Sequence, residues 1–280
     1  IRVMRDPLLP LLPGPQDADR PWLICYRIDE RVELTGHVLS MWMAKIAGLI
    51  TAESVQGDGV HVGLPPHWRT VAWACGTWMA GRSVLLGSSE EISAAGLVPE
   101  LSVAFTPEDL CDEAEAQVLV PPASLALRWP GELPALVLDG AADLMHYPDH
   151  FTPVSAAADL MCLSDLGDRG VLSSDPAAPA AQGGPASTAP SDPRPTSLTR
   201  AQLVAQVEAS CRTAGADNRS ASRAALVRHA DTAQMLQEVL VAWRSGRTAV
   251  ILTPEAGDDI AATAIRQEGI TEWTGGAQPH

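Results

Sequence analysis

The chain has 280 residues, 46% hydrophobic and 19% charged, a balance that excludes wholesale disorder and fibrous repeats and fits one large or two small domains. Its 19 basic residues against 34 acidic ones leave a formal net charge of −15, which excludes sequence-independent binding to nucleic acid or to anionic membranes, both of which draw affinity from Lys and Arg. All the basic residues but one are Arg, so chemistry that needs a lysine has a single candidate, Lys45.

The N-terminal stretch Ile1 to Asp17 is basic and then apolar, but Pro7, Pro10, Pro13 and Pro15 forbid a helical signal segment. No run approaches the ~18 apolar residues of a membrane span, and a cytoplasmic protein is expected. Cys25, Cys75, Cys111, Cys162 and Cys211 are scattered singly, which predicts buried free thiols instead of a disulfide framework or a metal knuckle.

Trp22 to Tyr26 reads as a short apolar strand. A polar turn follows at Arg27 to Arg31, and Thr35 stands where a helix N-cap belongs. Val38, Leu39, Met41, Trp42, Ala44, Lys45, Ile46, Leu49 and Ile50 predict a largely buried helix. Val60 to Leu64 reads as a buried strand closed by Pro65 and Pro66. Trp68 to Ala80 reads as a second helix ending at Gly81, and Ser83 to Leu86 and Leu101 to Phe105 as further strands. Strand, helix and strand over about thirty residues form a βαβ unit, whose crossover makes the strands parallel.

Gln117 to Val120, Ala123 to Leu127 and Ala135 to Leu138 are all strand-like. Ser173 to Pro195 is Ala, Pro, Ser and Gly with almost no large apolar residue, the composition of a surface loop or linker. Beyond it, Leu198 to Cys211 has helical spacing with Thr199 as cap, and Ala221 to Arg228 adds a turn or two of helix. Thr232 to Trp243 is a helix closed by Gly246, Thr248 to Leu252 a strand, Asp258 to Glu268 a helix ending at Gly269, and Thr271 to Trp273 a last short strand before a frayed tail. These elements divide the chain into a first α/β subdomain over 1–172, a linker over 173–197 and a second α/β subdomain over 198–280 packed on the first.

The order of these elements resembles the opening of the adenylate-forming superfamily of acyl- and aryl-CoA synthetases, luciferases and peptide-synthetase adenylation domains. The resemblance rests on the Glu33-Leu34-Thr35 helix start, on Val60-His61-Val62-Gly63-Leu64-Pro65, and on Trp78-Met79-Ala80-Gly81-Arg82-Ser83-Val84. Leu198-Thr199-Arg200-Ala201-Gln202-Leu203 is similar to the LTHxNL helix start that follows that family's phosphate loop. Val239 to Leu252 is similar to its aLxxGgxxvl segment, and Ile260 to Thr271 to the helix after it. The resemblance implies a layered αβα arrangement with mostly parallel sheets, like the large N-terminal domain of those enzymes, in a short actinobacterial branch of uncharacterised relatives.

Anchored on Leu198-Thr199, the segment Ala186 to Pro195 falls over the family's phosphate loop, TSGTTGxPKG. Ser187, Pro193 and Arg194 meet its Ser, Pro and Lys, whereas its three glycine positions hold Thr188, Ser191 and Pro195. Such a loop turns successive backbone N–H groups toward phosphate in conformations that glycine permits, and Pro190 and Pro195 remove two of those donors. The resemblance thus implies Ser187, Thr188, Ser191, Arg194 and Thr199 as vestigial nucleotide-site residues. The resemblance places the family's aromatic-Gly-x-Thr-Glu motif, its ribose-binding Asp and the C-terminal domain with the catalytic lysine downstream of the residues matched here, and Lys45 lies within the first helix.

The expectation that follows is a truncated, non-catalytic relative with no catalytic residue, no metal and no cofactor, acting in binding or regulation on a small acyl or nucleotide ligand or a protein partner. The alternative is an acyl- or aryl-acid adenylating enzyme that uses ATP, AMP and Mg, with Arg194 for the loop lysine and a C-terminal domain supplied by another chain. A third reading is a subunit whose α/β face packs on an oligomeric partner.

Other patterns resolve to ordinary roles. Gly57-x-Gly59-x-x-x-Gly63 precedes its strand instead of following one, so it is no dinucleotide fingerprint, and no GxSxG elbow occurs. His146 and His150 with Asp143 and Asp149 are parted by Pro148, which favours a solvated acidic turn over a zinc site. His61 and His67 are expected as satisfied structural histidines, and Trp42, Trp68, Trp73 and Trp78 as core. Glu90-Glu91 and the Asp109 to Glu115 run read as solvated surface.

Overall fold

The computed structural model describes residues 6–54, 57–167, 196–215 and 222–271. The chain opens with a hairpin, β1 (Pro21–Tyr26) and β2 (Arg31–Thr35), closed by a hydrogen bond from the Arg27 N–H to the Glu30 carbonyl at 2.8 Å. In β2 the charged Arg31 and Glu33 face solvent and Leu34 faces the core, a period-two pattern. Helix α1 (Gly36–Glu53) follows, and the Thr35 hydroxyl caps it by accepting from the Val38 N–H at 3.3 Å.

Next come β3 (Val60–Gly63), α2 (Trp68–Met79) and β4 (Val84–Leu86), the expected βαβ unit, with Val60 paired in parallel to Val84. A six-residue helix, α3 (Ser89–Ala94), stands where Glu90-Glu91 suggested plain surface. A reciprocal cap between Ser88 and Glu91 nucleates it, and it turns Ile92 inward. Then follow β5 (Leu101–Ala104), β6 (Ala116–Leu119), β7 (Val137–Asp139), β8 (Met161–Asp165), β9 (Thr196–Thr199) and α4 (Arg200–Gly215). After them come β10 (Ala224–Val227), α5 (Thr232–Arg244), β11 (Thr248–Leu252) and α6 (Asp258–Gln267).

The strands form two sheets. One has the order β7-β6-β5-β3-β4-β8-β9 and is parallel except at β8–β9, and the other has the order β10-β11-β1-β2 and is parallel except at the opening hairpin. The smaller sheet thus joins the first two strands among the described residues to the last two. Alternation along β1 sends Leu23 and Cys25 into the main core and Ile24 and Tyr26 into a second cluster with Ala261 and Ala264 of α6. The main core is the helical layer of α1, α2, α4 and α5 between the sheets, with Trp68, Trp73 and Trp78 all buried in it. Close approach of α1 and α2 depends on Gly76: a Cβ there would lie 2.5 Å from Ile46 Cγ2 and 3.1 Å from the Met43 carbonyl.

Four expectations are corrected. Ala123 to Leu127 is an irregular segment with Leu125 and Leu127 in solvent, because β7 pairs β6 from Val137 onward and leaves no ladder for it. Ala221 to Arg228 holds the strand β10, because an open parallel edge of β11 satisfies its backbone. Trp42 is only partly buried, and Thr271 is in no strand; the rest of that last segment lies outside the described residues. No described helix is long and apolar enough to cross a membrane.

Candidate functional site

Of the residues the resemblance marks, Ser187, Thr188, Ser191 and Arg194 lie outside the described residues, and Thr199 lies within them. Thr199 ends β9 and caps α4: its hydroxyl accepts from the Gln202 N–H at 3.2 Å, and its own N–H donates to Gln202 Oε1 at 2.9 Å. Strands β8 and β9 pair antiparallel, Asp165 opposite Thr196. The single lysine is committed elsewhere. Lys45 Nζ donates to the Tyr147 carbonyl at 2.7 Å and lies 2.6 Å from Asp149 Oδ1.

A second group of polar and aromatic side chains gathers where the carboxyl ends of both sheets meet. His67 and Arg69 begin α2 just beyond β3, Phe105 follows β5, Ser124 follows β6, and Arg27 and Glu30 flank the turn after β1. The carboxyl ends of parallel strands are where open α/β sheets place ligands, because the loops that connect strand to helix gather there. The sequence PPHWRT reads as an ordinary helix start, and nothing in it marks His67 or Arg69.

His67 caps α2, its Nδ1 accepting from the Arg69 N–H at 3.1 Å, which leaves the ring proton on Nε2. Burial pushes its pKa down to about 3, assisted by the positive charges of Arg69 and Arg27, so the ring is neutral at physiological pH. It meets Phe105 edge to face with centroids 5.2 Å apart. The Arg69 guanidinium lies against two indoles, 4.5 Å from the Trp68 ring centre and 5.5 Å from that of Trp42. Its Nη2 donates to the carbonyls of Ala123 and Ser124 at 3.3 and 3.2 Å. Burial lowers its pKa to about 10, against the pull of Glu30 and Asp139, and it stays charged. Ser124 ties the group together: its hydroxyl accepts from Trp68 Nε1 at 2.8 Å and donates to Glu30 Oε2 at 2.9 Å.

The other histidine expectations hold in part. His61 is satisfied: Nε2 donates to the Gly87 carbonyl at 3.0 Å, and Nδ1 stands 2.8 Å from Ser102 Oγ and 3.2 Å from Cys111 Sγ. Burial lowers the His61 pKa and raises the Cys111 thiol to about 11, so the pair is neutral and holds no thiolate nucleophile. His67, by contrast, keeps one ring nitrogen without a partner. His146 lies 4.0 Å from Asp143, and no group of metal-binding side chains occurs among the described residues.

Two layered sheets of mostly parallel strands, with helices between them, define an α/β protein. More narrowly, the fold is that of the N-terminal domain of adenylate-forming enzymes. An acyl-CoA synthetase of Brucella canis matches 94% of this chain at a TM-score of 0.67 and 18% identity, the match covering 48% of that chain. Ligand-free MatB from Rhodopseudomonas palustris matches 94% at a TM-score of 0.62 and 12% identity, over 48% of its own chain. A TIGR03089 family protein of Mycobacterium tuberculosis is 33% identical over 112 residues, 39% of this chain and 40% of that protein. No family model matches the sequence. The chain thus spans about half the length of these two solved structures.

Proposed function

We propose that this chain keeps the scaffold of the adenylate-forming enzymes without their activation chemistry, and acts through binding or regulation. The observation that carries this reading is the segment over the phosphate loop, where Thr188, Ser191 and Pro195 replace glycines and Pro190 and Pro195 cannot donate. The engagement of Lys45 with Tyr147 and Asp149 supports it, since the one lysine already serves the contact between α1 and the 147–149 segment. The ligand class is a small acyl or nucleotide molecule or a protein partner, with no metal or cofactor required.

ATP–pyrophosphate exchange across a panel of carboxylic acids tests it, and the expected outcome is no exchange above background. A thermal-shift titration with ATP·Mg and AMP adds a binding readout, because a ligand at 100 times its Kd stabilises a fold by about 2.7 kcal/mol. One feature favours a second reading: Arg194 falls on the loop lysine and offers a cation for phosphate, although a planar guanidinium and an ammonium are not equivalent there. Under that reading the chain is an acid-adenylating enzyme using ATP and Mg, completed by a separate C-terminal domain. Exchange that starts on adding such a domain, and stops with Arg194→Ala, would establish it.

A further inference from the structure

We propose that the amino end of α2 is an oxyanion site, taking one carboxylate or phosphate group on His67 and Arg69, and that the connection between β6 and β7 covers it. This site uses no residue of the 186–195 segment, so it stands or falls apart from the loss of the phosphate loop.

His67 and Arg69 are each only 2% exposed, and each keeps a nitrogen with no hydrogen-bond partner, His67 Nε2 and Arg69 Nε. Buried donors are nearly always satisfied, and here two orphans lie two residues apart at one helix end. The neighbouring Trp68 indole finds Ser124 and the Trp78 indole finds the Cys162 carbonyl. Other buried atoms are left without a partner too, among them Trp22 Nε1, Thr77 Oγ1 and Arg200 Nε, but those of His67 and Arg69 fall together on one helix start. Both orphans are donors. The Arg69 N–H occupies Nδ1 and leaves the proton on Nε2, and a guanidinium never accepts. They sit at the positive end of a twelve-residue helix, which favours an anion. The carboxylates that act on Arg69 are engaged elsewhere: Glu30 with Ser124, and Asp139 with the N–H groups of Trp129, Ala141 and Ala142.

The cover is the connection 120–136, which has no helix or strand. Irregular connections longer than ~12–15 residues are uncommon and often serve as lids or binding loops. Over the site it is held by polar contacts: Ser124 to Trp68 and Glu30, the carbonyls of Ala123 and Ser124 to Arg69, and the Pro122 carbonyl to Arg27. Leu125 and Leu127, 85% and 87% exposed, add no apolar anchor there, and the apolar hold comes further on through Trp129 and Leu133. A segment held this way opens without unburying core. Two of its carbonyls accept from Arg69 Nη2, a donor an oxyanion would use, while Arg69 Nε and His67 Nε2 have no partner.

The full chain is titrated with potassium phosphate and separately with potassium acetate, against potassium chloride at matched ionic strength. Melting temperature and the fluorescence of Trp42 and Trp68, which flank Arg69, are followed. A saturable response to one anion is expected, and which anion produces it tells a phosphate site from a carboxylate site. Ser124→Ala loosens the cover and should bind about tenfold tighter, and His67→Asn keeps a helix cap but loses the ring donor and should bind about tenfold more weakly. Saturation by neither anion in wild type and Ser124→Ala overturns the proposal, as does an unchanged affinity in a folded His67→Asn. Should His67→Asn fail to fold, hydrogen exchange of the 123–127 amides decides: the anion should speed it, and unchanged exchange sinks the displaced cover.

Discussion

Arg200 at the start of α4 and Arg69 at the start of α2 are both buried arginines on first turns of helices, yet their surroundings differ. Arg200 Nη1 lies 2.6 Å from Asp6, a residue 194 positions away, and its Nη2 donates to the Trp78 carbonyl at 3.0 Å. Asp6 in turn accepts from the N–H groups of Leu8 and Ala156, so the ion pair fastens the N-terminal segment to α2, α4 and the irregular segment that leads to β8. Arg69 has indole faces and two loop carbonyls in place of a carboxylate. A paired, hydrogen-bonded buried charge locks a fold once formed, whereas a buried charge without a counter-ion is retained at a cost that packing alone does not explain.

The largest effect is expected at the paired arginine. Asp6→Ala leaves Arg200 charged and alone in the core, and should cost about 3–5 kcal/mol in urea-unfolding stability. Arg69→Met removes a charge held by two loop carbonyls and not by a salt bridge, and keeps much of the packing against Trp42 and Trp68. Its cost should stay below about 2 kcal/mol, since apolar replacement of a buried charge is often neutral. Equal costs for the two substitutions would erase the distinction between a fastening residue and a binding one.

Thiol labelling sharpens the comparison locally. Burial pushes Cys25, next to the Arg69 region, and Cys162, beneath the Arg200 pair, each up to about 12, so neither should react in the native protein. The half-buried Cys211 should label first. Asp6→Ala should expose Cys162 to a thiol reagent while leaving Cys25 protected, which mass mapping of the labelled sites would show.

The smallest effect belongs to His229, whose Nε2 lies 2.9 Å from Glu238 Oε1 beyond the end of β10. The hydrogen bond to Glu238 holds the His229 pKa above its usual value, against the opposing effect of burial. Because the folded value exceeds the unfolded one, this contribution is fully present below the unfolded pKa near 6.5 and is lost as pH rises through the folded value. The pair is half-exposed and should be worth less than about 1 kcal/mol. Urea midpoints of wild type and His229→Gln should therefore converge on the alkaline side.

Much of the fold was legible because local signals agreed with the tertiary answer. The hydrophobic spacing of α1, α2 and α5, the Thr35 and Thr199 caps, and the glycines at 81, 246 and 269, all with positive φ, mark the elements they end or begin. Strand β2 was hidden inside what reads as a polar turn and cap, because Val32 and Leu34 make only two apolar positions of a period-two pattern. The pair β8–β9 could not be read, since a strand of four residues exists by virtue of its partner across a long connection. At the candidate site the single lysine and the altered loop were visible as letters. The Arg69 group was not, because its partners Ala123 and Ser124 lie 54 and 55 residues away.

The sequence by itself determined the βαβ unit and the helix ends, since each follows from spacing and turn residues within a few residues, while the layered α/β class and the altered phosphate loop were implied by the family resemblance. Only the tertiary structure decided that the first and last strands share a sheet, that Asp6 neutralises Arg200, and that His67 and Arg69 are buried with donors to spare. Those facts depend on which distant segments exclude water from the same place, and local sequence carries no record of that.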